Sequence, residues 1–83
     1  MKKTWTAGVS EQTAEEIKGN FKSSALIRAR LTALLNERIN AKRTEVISKT
    51  SYDSPSWAYL QADANGYERA LNEVISLLSE NNG

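Results

Sequence analysis

The stretch SPSWAYLQADANGYERALNEVISLLSE, from Ser54 to Glu80, decides the fold. Ser54 is a helix-capping residue type, and Pro55 suits the first helical position. Apolar or small residues then recur at Trp57, Leu60, Ala64, Tyr67, Leu71, Val74 and Leu78. Intervals of three and four keep them on one side of an α-helix. At ~1.5 Å per residue, that helix is about 39 Å long. A lone helix in water cannot hide such a stripe, so a second element must lie along it.

Gly66 interrupts this segment, yet the apolar register continues across it. A continuous helix is therefore the reading, rather than a break at Asn65-Gly66. Ala62, Gly66 and Ala70 follow one another at four-residue spacing. They make a smooth line on which a neighbouring backbone could approach closely.

Working upstream, the partner helix is expected from about Thr13 to Lys49. Thr13 and Glu16 have the spacing of a capping box, and Glu15 and Glu16 suit the positive helix end. Ile17 and Phe21 open its apolar face. Gly19 and Asn20 weaken the helix, by about 1 kcal/mol for the glycine, and permit a bend there. Beyond them Ile27, Leu31, Leu34 or Leu35, Arg38 or Ile39, and Val46 keep to one side. The polar run around Thr50, Ser51 and Asp53 is a short loop. A short loop between two amphipathic helices predicts an antiparallel helical hairpin.

The predicted fold class is thus all-α: a long antiparallel helical hairpin (13–83) preceded by an N-terminal arm (1–12). The first helix overhangs the second, which leaves Ile17 and Phe21 seeking cover. With the smooth line Ala62, Gly66 and Ala70, this overhang predicts a homo-oligomer. Trp5 stands alone in the polar arm. It reads as an anchor folded onto the helices or onto a second subunit, the alternative being an exposed contact for a partner.

Composition removes many chemistries. The 83 residues contain neither cysteine nor histidine, so disulfides and thiolate or imidazole metal sites are excluded. Met1-Lys2-Lys3 begins like a secretory signal, but no apolar run follows. No stretch has the length and apolarity of a membrane span. The expectation is a soluble protein of the cytoplasm. No glycine-rich phosphate loop occurs, and no histidine can activate a serine in the usual triad. Asp63, Glu68 and Glu73 stand five residues apart, which turns each away from the last and gives no shared carboxylate face. The chain is read as a non-enzyme with no catalytic residues, no metal and no cofactor.

Charge, by contrast, is organised. Residues 17–52 hold eight basic and two acidic side chains, whereas residues 53–83 hold one basic and five acidic. Two helices of opposite sign attract weakly when paired. Arg38 and Lys42 share a face, and Arg28 belongs to the same basic helix. Tyr59 and Asp63 neighbour each other on the acidic helix, off the packed stripe. Arg28, Arg38, Lys42, Tyr59 and Asp63 form the candidate surface for a protein or a nucleotide, since arginine and aromatic residues are frequent in both kinds of contact. A solvated helix face is the plain alternative. Nucleic acid is the weaker expectation: duplex binders usually carry more charge, and no helix-turn-helix spacing is visible.

The run from Ser54 to Leu71 resembles small accessory proteins encoded by tailed bacteriophages. That resemblance implies a non-enzymatic protein that binds and modulates a host protein in the host cytoplasm. Ile27-Arg28-Ala29-Arg30, with Glu68, Ala70 and Ile75, also resembles the small helical-hairpin phage proteins that sequester cyclic nucleotide signals of host defence. That likeness covers Ile27 to Asn81, although the loop is longer here. It implies, as an alternative, an oligomeric sponge holding a nucleotide between subunits.

Overall fold

A computed structural model describes residues 1–49 and 57–80. Three α-helices are present among them, with no strand: α1 (Glu11–Ser23), α2 (Ala25–Lys49) and α3 (Trp57–Leu78). A short 3-10 turn, Lys3–Trp5, precedes α1. The expected cap at Ser54-Pro55 and the connecting loop lie outside the described residues.

The first helix starts earlier than the spacing of Thr13 and Glu16 predicts. Gly8 takes a left-handed φ of 77° and turns the chain. Ser10 follows in extended geometry and caps α1, its hydroxyl oxygen accepting from the Thr13 backbone N–H at 3.2 Å. Thr13 is therefore the residue being capped, and its own hydroxyl accepts a 2.9 Å bond from Ser10.

The long helix expected over 13–49 is divided at Ser24, and Gly19 and Asn20 stay helical. The cause is competition for the Phe21 carbonyl. The Ser24 hydroxyl (2.9 Å) and the Arg28 guanidinium (Nη2 at 2.6 Å, Nε at 3.1 Å) both donate to it. Side chains that enter the helical ladder in this way bend it. α2 resumes at once, with Arg28 N–H bonded to Ser24 O at 2.9 Å.

At ~1.5 Å per residue, α1 and α2 placed end to end would span about 57 Å. The molecule is elongated, 57 × 25 × 17 Å. α3 packs chiefly along α2, and its end reaches the junction of α1 with α2. The N-terminal arm returns beside α1 to the end of α3, where Trp5 Nε1 donates to Leu77 O at 2.8 Å. The Met1 ammonium donates to Glu80 O, also at 2.8 Å.

Two complementary stripes meet between α2 and α3. On α2 they are Arg28, Thr32, Leu35, Ile39, Lys42 and Val46; on α3, Trp57, Gln61, Ala64, Glu68, Leu71, Ile75 and Leu78. All of these are buried or half-buried. Ile39, Val46 and Ala64 are the buried apolar members. Four of the seven residues in the stripe predicted for α3 are therefore inside: Trp57, Ala64, Leu71 and Leu78. The others are displaced by one residue, with Gln61, Glu68 and Ile75 inward and Leu60, Tyr67 and Val74 exposed. α3 turns the side bearing Glu68 toward α2, where Arg43 pairs with it.

Candidate binding surface

Arg28 was expected on the binding surface, and the structure buries it at 8% exposure. Its guanidinium ties three parts of the chain together. Nε and Nη2 donate to Phe21 O, Nη1 to Leu78 O at 2.9 Å, and Nη2 to a Glu80 carboxylate oxygen at 3.1 Å. Nε also reaches the Ser24 hydroxyl at 3.0 Å. The guanidinium carbon stands 3.7 Å from the centre of the Phe21 ring, a cation–π contact. The planar fork of arginine suits several carbonyls at once, as a lysine ammonium would not. With its donors spent inside the chain, Arg28 joins the end of α1 to the end of α3.

Phe21 is buried there, with Trp5 edge-on to it at 5.9 Å between ring centres and 61° between planes. Half-buried Ile17 lines the same cleft. Trp5, Ile17 and Phe21, expected at an oligomer interface because α1 overhangs α3, thus meet one another within a single chain. The overhang exists, and the arm covers it. Trp5 is the anchor onto the chain's own helices.

The other candidates lie further along. Lys42 Nζ is 3.3 Å from Asp63 Oδ2 and 5.7 Å from the centre of the Tyr67 ring. Arg43 pairs with Glu68 on the opposite side of the layer. The hydrogen bond that Arg43 donates to Glu68, and the negative charge of that carboxylate, raise the Arg43 pKa above its already high ordinary value against an opposing effect of desolvation. Arg38 is exposed and unpaired, on a shallow groove of α2 with Leu31, Leu34 and Ala41. Tyr59 is 81% exposed on the outer side of α3. Lys42 and Asp63 are brought together; Arg28 is taken away from the set; Arg38 and Tyr59 remain open and separate.

Ala62, Gly66 and Ala70 are exposed, and a side chain at Gly66 would meet nothing within 4 Å. Within one chain this smooth line faces solvent.

A larger surface went unrecognised in the sequence. Ile27, Leu31, Leu34, Arg38, Ala41 and Glu45 of α2 each precede a packed residue by one, which rotates them about 100° from the packed stripe. Leu60, Asp63, Tyr67, Ala70, Val74 and Leu77 of α3 stand in the same relation to Gln61, Ala64, Glu68, Leu71, Ile75 and Leu78. Arg28 meets Leu78 while Lys42 meets Asp63, so numbers rise along α2 as they fall along α3. For helices so opposed, the same rotation brings both sets to one side of the layer. The result is a single face, apolar but for Arg38, Glu45, Asp63 and the tip of Lys42.

No family model matches the sequence, and comparisons with curated proteins and with solved structures return no match either. Among the described residues no three acidic side chains converge as a metal site, and no helix is long and apolar enough to cross a membrane.

Proposed function

We propose that this chain is a non-enzymatic accessory protein of bacteriophage type that acts by binding a host protein in the host cytoplasm. In this reading α2 and α3 close through residues 50–56 into an antiparallel hairpin, and the hairpins associate as a homo-oligomer. The supporting observation is how the polar groups and the apolar surface are divided. Arg28, Lys42 and Arg43 are engaged within the chain, while a face running over both helices is left apolar and open. A contiguous apolar face rimmed by polar residues marks protein contact more often than turnover. Tyr59, 81% exposed on the outer side of α3, is the side chain offered to the host partner, an aromatic type frequent among interface anchors.

Affinity capture from bacterial lysate tests the reading, with mass spectrometry of the protein and small-molecule fractions. One host protein should be recovered in fixed ratio, and Tyr59→Ala should reduce its recovery without loss of helicity. Sub-micromolar binding of a cyclic nucleotide by calorimetry, abolished by Arg38→Ala or Tyr59→Ala, would replace it with the sponge.

A further inference from the structure

We infer that the open face is filled by a second copy of this chain, in a two-fold dimer that lays α2 of each copy over α3 of the other. The inference rests on the reading of that face as a protein-contact surface, and names its occupant.

Area is the first argument. The chain exposes 6383 Å². A compact monomer of 9.2 kDa is expected to expose about 4,900 Å². The excess over the whole elongated chain is roughly 1,450 Å², larger than the ~800 Å² per partner of a standard stable interface. The interior points the same way, for no described side chain is completely buried, and Leu31, Leu34, Leu60, Tyr67 and Val74 are each about two-fifths exposed. Half-open leucines in one continuous sheet of surface are what one layer of a two-layer bundle exposes before its other layer is added.

Charge then chooses between two ways of stacking the layers. A two-fold axis along the helices places α2 over the partner's α3. An axis across the helices places α2 over α2 and α3 over α3. α2 holds six basic and two acidic residues; α3 holds one basic and three acidic. The second arrangement sets like against like on both helices, and the first opposes unlike signs twice. Opposed charges of this kind select the partner and the register more than they add affinity.

The symmetry also fixes the register. A closed two-fold along the helix direction allows no slide, so residues level with each other within one chain are level across the seam. Arg28 is level with Leu78, and Lys42 with Asp63. By the same count, Leu31 comes opposite the partner's Val74, and Arg38 opposite the partner's Tyr67. Arg38, the one unpaired cation within the face, would there find an aromatic ring.

The chain has no cysteine, so cross-linking can be read without background. Leu31→Cys and Val74→Cys, combined in one full-length chain and mildly oxidised, should give a covalent dimer on a non-reducing gel. Neither single variant should. Two thiols meet only when their Cα atoms come within about 7 Å, which makes the result specific to this register. Absence of the link in a double variant whose circular dichroism matches the parent would overturn the dimer geometry. So would efficient linking of either single variant, which would indicate like helices stacked on like. Host capture is scored separately: a linked dimer that recovers no host protein counts against the accessory reading alone, and capture by an unlinked chain counts against the dimer alone.

Discussion

The start of α2 and its middle solve the same problem in opposite ways. Near Arg28, a basic side chain in the interior is matched by carbonyls and a carboxylate drawn from α1 and from the end of α3, and the arm seals the junction with Trp5. From Leu31 to Ala41, the helix leaves an apolar strip beside its packed stripe with nothing from its own chain upon it. The first region is complete as a single chain, and the second is not. A buried guanidinium must have its partners within the fold, because a charge left without them costs several kcal/mol. Exposed leucines impose a smaller and divisible cost, which another molecule can relieve.

The sharpest way to break this contrast is at Arg28. Arg28→Leu removes every donor that joins Phe21 O to Leu78 O and should destabilise the chain by about 3 kcal/mol in chemical denaturation. Arg28→Lys should recover little of it, since one ammonium cannot reproduce the fork. A loss under about 1 kcal/mol would show that the junction is held by apolar contacts instead.

Trp5→Ala tests whether the arm contributes. It deletes a hydrogen bond and an edge-on ring contact at a position still 39% exposed. The expected cost is about 1–2 kcal/mol. Amide exchange in residues 1–10 should accelerate with it.

How much of this was legible in the sequence follows from the range of each interaction. The existence of α2 and α3, and four of the seven residues in the α3 stripe, follow from three- and four-residue spacing, a signal local to each helix. The rotation that exposes Leu60, Tyr67 and Val74 was not legible, because it depends on which flank of α3 meets Arg43. The bend at Ser24 carries no glycine or proline to announce it. It arises where Arg28 takes the carbonyl of Phe21, seven residues earlier. Nor could Arg28 be told from Arg38, since the groups that bury it lie 50 and 52 residues away. Ser10 outcompeting Thr13 as the cap is a local choice, decided by the turn at Gly8.

The smallest expected effect sharpens the contrast from the outside. Gly66 lies in a helix interior with open space around it. Gly66→Ala should stabilise the chain by up to about 1 kcal/mol, the difference in helix propensity. Gly66→Leu should weaken the oligomer less than a charge at the centre of the open face does, because residue 66 lies at that face's edge, one turn before Ala70. Loss of the oligomer in Gly66→Leu would return the interface to the line of Ala62, Gly66 and Ala70.

Sedimentation equilibrium of the purified chain, beside Leu34→Glu and Ile27→Glu, tests the central claim most directly. Ile27 is 67% exposed within one copy, so a charge there is tolerated by the fold of the single chain, and helicity is the control for Leu34, which is 38% exposed. The parent should sediment at twice 9.2 kDa at micromolar concentration, and both variants should shift toward the single-chain mass with helicity unchanged. A parent that sediments at 9.2 kDa, or variants that dimerise as the parent does, would contradict the claim that the open face is where this protein meets its copy.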